Sequence, residues 1–224
     1  MKTIQLIFSV LLFSLLGLNI HAQPKSFAPR GIGGGGALFF PPINPANDNE
    51  FYVSGDLSTL FHSTDFGRHY DQIDFTKLQV FNTSTYEFTK DPKIAYSNFN
   101  DGNSGFPVKT TDGGNTWLPI SAYNVNTYGN VYTMKANYQN PQQVLIGAYG
   151  DILITNDGGS TLKLVRHAAS NGAGLIMGGV FFDGLNIYIG TNEGIVFSTN
   201  GGTSFGLMPN KGLPNGQLIW SFAG

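Results

Sequence analysis

The sequence predicts an all-β protein, a β-propeller of four-stranded blades with about four blades and one spare strand. Three observations carry this. A turn motif of the form Ser/Thr-x-Asp-x-Gly-x-Thr-aromatic recurs at 63–70, 110–117, 155–162 and 198–205, degraded at one position or another in most copies. Its third residue falls at Asp65, Asp112, Asp157 and Asn200, in steps of 47, 45 and 43 residues, and a repeat of about 40 to 50 residues built from short strands is the period of propeller blades. The composition agrees: 30 Gly and 13% aromatic residues, with 12% charged against roughly 25% in an average domain, describe a turn-rich β chain.

From the N-terminus, Met1 to Ala22 reads as a secretory signal peptide: Lys2 precedes the apolar run Ile4 to Ile20, and Ala22 offers a small residue for cleavage. The run is too short to argue for a spanning helix. No later segment matches its hydrophobicity, so residues 23–224 are expected to be secreted, periplasmic or at the cell surface, with no membrane span. Residues 23–30 form a linker. Gly31 to Gly36 satisfies G-x-G-x-x-G, but no strand precedes it and no amphipathic helix follows, so the dinucleotide reading fails. These glycines are assigned instead to close backbone approach. Apolar runs then divide each repeat into strands. Blade one (31–75) is read as strands 37–42, 51–54, 59–63 and 68–75, and blade two (76–120) as 85–89, 93–96, 106–110 and 116–120. Blade three (121–165) is read as 131–136, 143–147, 152–155 and 161–165, and blade four (166–208) as 175–182, 186–190, 195–198 and 204–208. Residues 216–224 open a fifth blade.

Within the motif, the Asp or Asn side chain is expected to accept from the backbone N–H two residues on, while the following Gly supplies a positive φ. Tyr70, Trp117, Leu162 or Phe205 then starts the next strand. Asp65, Asp112, Asp157 and Asn200 are therefore read as structural, with a metal or catalytic role as the alternative. The motif resembles the Asp-box, or bacterial neuraminidase repeat, of sialidases, sortilin-like receptors and two-propeller xyloglucan hydrolases. That resemblance implies fold more than chemistry, because proteins of very different function share it.

Propellers bury their edges by closing a ring of about 4 to 8 blades. Seven blades of this period would need roughly 315 residues, so the chain is expected to be part of a longer propeller, and alone to aggregate or oligomerise. A closed four-bladed ring is the alternative.

The charge is nearly balanced, with 12 Lys+Arg against 14 Asp+Glu, and no basic stripe points to nucleic acid. The absence of Cys excludes disulfides and a thiol nucleophile, and in an exported protein points to a bacterial source. His62, His69 and His167 lack zinc-ligand spacing, no Ser lies in a G-x-S-x-G elbow, and Arg30, Arg68 and Arg166 do not assemble a sialidase arginine set. The oxygen-rich 98–103 loop lacks the Glu and spacing of a calcium loop. No cofactor or metal is expected.

If the motif joins third and fourth strands, the turns between second and third strands lie on the opposite face, where propellers bind ligands. Each carries a carboxylate: Asp56, Asp101, Asp151 and Glu193. The bland reading of each is a hairpin turn residue. Tyr52, Phe99, Tyr128 and Tyr149 offer flat faces to sugar rings, although most aromatics in such a chain pack internally. Gly33 to Pro45, followed by Phe51-Tyr52-Val53-Ser54-Gly55-Asp56-Leu57 and the first motif, resembles the opening of the family 74 xyloglucanases. That resemblance implies that Asp56 is the base activating water in an inverting hydrolysis of a polysaccharide. Ser54 stands where the family often has Arg, and Ser58-Thr59 replaces a Gly-Gly pair. The acid would come from a second propeller beyond residue 224, since Asp101, Asp151 and Glu193 sit in no context that marks them as acids. The substrate-binding candidates are thus Tyr52, Phe99, Asp101, Tyr149, Asp151 and Glu193. The rival expectation is a non-catalytic binding or adhesion propeller, in which Asp56 is a turn residue.

Overall fold

The computed structural model describes residues 36–169, 174–209, 219 and 221–222. Four antiparallel sheets follow one another along the chain. The first holds β1 (Leu38–Phe39), β3 (Asn47–Gly55), β4 (Leu60–Ser63) and β5 (Asp71–Ile73), with a two-residue β2 (Ile43–Asn44) also paired to β3. The second holds β6 (Tyr86–Phe88), β7 (Ala95–Asn100), β8 (Gly105–Thr110) and β9 (Leu118–Pro119). The third holds β10 (Val131–Ala136), β11 (Val144–Ala148), β12 (Asp151–Thr155) and β13 (Lys163–His167), and the fourth β14 (Met177–Asp183), β15 (Asn186–Thr191), β16 (Gly194–Ser198) and β17 (Gly206–Leu207). In each the strands pair in chain order as a meander, and the repeated turn joins the third strand to the fourth.

The core lies between sheets. Tyr52 and Leu60 meet Tyr86, Ala95 and Val108; Tyr96 and Ile120 meet Val131, Met134, Val144 and Ile146; Leu145, Ile152 and Ile154 meet Leu175, Ile187 and Ile189. Strands buried on both faces read as continuous apolar runs, which is why Val144–Ala148 is buried throughout. Each such Leu or Ile withdraws enough apolar surface to stabilise by about 1.5–3 kcal/mol. Polar ties add register: Tyr96 donates to the Pro141 carbonyl at 2.7 Å, and the Tyr132 hydroxyl donates to the Leu175 carbonyl at 2.6 Å while accepting from Met177 N–H at 2.7 Å.

The repeated turns close by one scheme, and it differs from the expected one. The carboxylate accepts from the N–H four residues on, not two: Thr116 to Asp112 at 2.9 Å, Thr161 to Asp157 at 2.9 Å and His69 to Asp65 at 2.9 Å, with Ser204 to Asn200 likewise at 2.9 Å. The buried Ser63, Thr110, Thr155 and Ser198 hydroxyls complete the ring, donating to the Asp or Asn oxygen and accepting from Gly67, Gly114, Gly159 and Gly202 N–H at 2.8 to 3.0 Å. These bonds hold Asp65, Asp112 and Asp157 down at about 2, the largest cause being the His69 and Thr116 backbone N–H for the first two and the Thr161 hydroxyl for the third. The N–H of the residue after each Asp or Asn donates to the connection between the first two strands of the same blade or, in blade one, to the start of β3: Gly113 to Lys93, Gly158 to Gln142, Gly201 to Leu185, and Phe66 to Asn49. Both connections therefore share one face.

The fourth strands start later than expected, since Tyr70, Trp117, Leu162 and Phe205 precede β5, β9, β13 and β17 rather than starting them, and all but β13 are also shorter. In blade two the second strand starts at Ala95, because Lys93 N–H is held by the Asp91 carboxylate in a turn. A one-turn helix α1 (Val125–Tyr128), capped by the Asn124 side chain, lies in the link before β10. The signal peptide and linker lie outside the described residues, as does most of the fifth-blade strand. At its described positions, Ile219 N–H donates to Thr191 and Phe222 N–H to Gly178.

Candidate functional site

On the face opposite the repeated turns, the four connections between second and third strands present the predicted carboxylates, and three have partners. Asp101 is bound within its own turn, accepting from Asn103 N–H at 2.9 Å and Ser104 N–H at 2.8 Å, of which the Ser104 bond is the larger cause of its lowered pKa. Asp151 meets His167 Nδ1 at 2.7 Å. Glu193 accepts from Arg166 Nε at 2.8 Å and Nη2 at 2.5 Å, and from Ala169 N–H at 2.6 Å. The Arg166 pair ties blade three to blade four.

Asp56 differs. It follows β3 in a tight turn closed by Gly55 N–H to the Thr59 carbonyl at 2.7 Å, with Ser58 at φ 63°. Its own N–H reaches the Ala37 carbonyl at 3.3 Å, which sets the turn against the chain entering β1. Asp56 Oδ1 is fully buried with no hydrogen-bond partner, and it is the one such side-chain atom among the described residues. Gly36 packs on it: at φ +98° a Cβ built there would stand 2.3 Å from Oδ1. An unmatched buried carboxylate oxygen is costly for a fold, and natural structures keep such groups at functional sites more than elsewhere.

The aromatic candidates separate by burial. Tyr52 is buried between the His62 ring at 4.1 Å and the Tyr86 ring at 3.7 Å, so neither face is open, and burial drives its pKa up. Phe99 stacks on Phe106 at 4.8 Å against the core of blades one and two, and Tyr128 leans on Tyr123. Tyr149 is 70% exposed with its ring edge on Tyr132. The structure thus brings Tyr149, Asp151 and His167 together at one end of blade three, while no hydrogen bond or ion pair among the described residues joins Asp56 to Asp101, Asp151 or Glu193. The sequence marks Gly36 for close backbone approach and His167 as a histidine without zinc-ligand spacing, but it does not pair them with Asp56 and Asp151. Counting the β12–β13 register outward from the repeated turn would put Arg166 opposite Asp151; a β-bulge between Ile152 and Leu153 shifts the pairing by one residue and brings His167 there instead. Among the described residues no cluster of His, Cys, Asp or Glu suits a metal ion, and no helix is long and apolar enough to cross a membrane.

No family model matches the chain, and no curated protein matches it. Solved structures do. An ancestral GH74 enzyme superposes with a TM-score of 0.61 at 16% identity, over 83% of this chain and 26% of its own. The fold is that of a β-propeller. The extracellular domain of BT4673 from B. thetaiotaomicron matches with a TM-score of 0.59 at 14% identity, over 89% of this chain and 25% of its own. YCF48 from Cyanidioschyzon merolae gives 0.53 at 16% identity, over 76% and 56%. The chain thus spans about a quarter of the length of the first two. Identities this low establish the shared blades alone, and such blades serve proteins of different function.

Proposed function

We propose that these blades belong to a secreted polysaccharide hydrolase of the xyloglucanase type, with Asp56 as the general base. The observation that carries the reading is the buried, unpartnered Asp56 Oδ1, set against Gly36 on the face where propellers bind ligands. The resemblance of residues 33–57 to the family 74 opening and the superposition on a GH74 enzyme support it. In an inverting hydrolysis the Asp56 carboxylate takes a proton from water as the water oxygen attacks the anomeric carbon. A carboxylic acid about 6.5–9.5 Å away protonates the departing glycosidic oxygen. Asp101, Asp151 and Glu193 are engaged elsewhere, so the acid is proposed to come from sequence beyond residue 224.

That same engagement favours a second reading, a binding propeller without hydrolysis, since one free carboxylate cannot complete the reaction. A panel of β-glucans separates the two on the full-length protein. Release of reducing ends from xyloglucan supports the enzyme; binding with no release supports the module and removes the catalytic role of Asp56.

A further inference from the structure

We propose a second binding site, for a neutral carbohydrate, in the groove between blades three and four on the repeated-turn face. The groove encloses about 480 Å³, within the roughly 300–1,000 Å³ of small-ligand sites. Its walls are the β10–β11 loop, the β14–β15 turn and the repeated turns of both blades, at the opposite end of the strands from Asp56. No Asp, Glu, Lys or Arg lines it, so nothing there would offset the desolvation of a phosphate, carboxylate or ammonium.

Amides line it instead, and a buried one sets the aim of Asn156. Gln143 Oε1 accepts from Asn137 Nδ2 at 2.8 Å, while its Nε2 donates to Asn156 Oδ1 at 2.8 Å and to the Gly201 carbonyl at 3.1 Å. With its oxygen committed to Gln143, Asn156 keeps Nδ2 as a donor with no partner among the described residues. Asn140 does the same, its Oδ1 taken by Gln142 N–H at 3.2 Å. Two donors are thus fixed before any ligand arrives, which lowers the ordering cost of binding. Leu185, 67% exposed, and Phe182 supply an apolar wall. Fixed N–H donors beside an apolar wall complement a sugar ring, whose hydroxyl oxygens accept and whose C–H face packs. An extended peptide is disfavoured, because the walls are turns and loops that offer no free strand edge for β-addition.

The inference does not rest on Asp56. Calorimetric titration of the full chain with cellohexaose, a xyloglucan oligosaccharide and hexagalacturonate tests it. The neutral oligosaccharides should bind and the charged one should not. Asn156→Asp keeps the acceptor for Gln143 and exchanges the donor for a charged acceptor, so affinity should fall at least tenfold with the melting temperature unchanged. Leu185→Asp, on an exposed turn, should weaken binding similarly if Asn156→Asp fails to fold. No binding of either neutral probe, equal binding of hexagalacturonate, or indifference to a folded Asn156→Asp or Leu185→Asp variant would overturn the site.

Discussion

Replacing Gly36 by Ala probes the contact that sets Asp56. Gly36 holds φ +98°, a conformation that strains an L-residue by about 1–3 kcal/mol. The added Cβ would also stand 2.3 Å from Asp56 Oδ1, so either the backbone or the carboxylate must shift. The two effects separate in an Asp56→Ala background, where the three Asp56 atoms nearest that Cβ are gone and only the φ strain stays. Asp56→Ala by itself removes a buried oxygen without a partner, a defect of about 1–3 kcal/mol, offset in part by lost packing. It is expected to stabilise by about 1 kcal/mol, or roughly 2–4 °C in Tm for a chain of this size. Gly36→Ala should then cost about 3 kcal/mol in the unmodified chain and about 1–2 kcal/mol beside Asp56→Ala, a coupling of at least about 1 kcal/mol, as contacting residues show. Urea unfolding of the four proteins reads all of these. An equal cost of Gly36→Ala in both backgrounds, or a loss of stability on Asp56→Ala, would refute the reasoning by showing that Asp56 has a structural partner.

Acid should loosen the repeated turns: Asp65, Asp112 and Asp157 sit at about 2 when folded against an ordinary 3.8, so their stabilisation is complete above that value and is lost as pH falls towards about 2. Melting curves should fall over that window, and replacing all three with Asn, which Asn200 shows the turn accepts, should flatten the fall; an unchanged slope would contradict the assignment. Phe66 holds φ 59° where the other copies have Gly113, Gly158 and Gly201, so Phe66→Gly should stabilise by about 0.5–1 kcal/mol, read as a raised urea midpoint, and a lowered midpoint would count against it. Arg166→Ala strands the mostly buried Glu193 carboxylate and should cost about 1–3 kcal/mol, with part of the loss restored by Arg166→Ala/Glu193→Ala; a double variant no better than the single one would contradict the pairing.

The blades were legible because their signals are local. Asp112-Gly113-Gly114 and its copies specify a reversal from residue type alone, and apolar runs such as Val144–Ala148 and Ile152–Thr155 mark strands buried on both faces. Blade two was less legible because Pro107 lies inside β8 and Lys93 inside a turn, so local preference and pairing disagree there. The site was half legible. Position on the face follows from the turn order, but whether a carboxylate is free depends on groups far along the chain: Arg166 for Glu193, His167 for Asp151. Tyr52 reads as a sugar platform until Tyr86 of the next blade covers it.

The central claim is that Asp56 is the base, and the initial rate of xyloglucan hydrolysis by the full-length protein and its Asp56→Asn variant tests it most directly. Removing a general base lowers the rate by about 10²–10⁴-fold, so a loss in that range is expected with the melting temperature preserved or raised. A folded Asp56→Asn variant that keeps the parent rate would contradict the account.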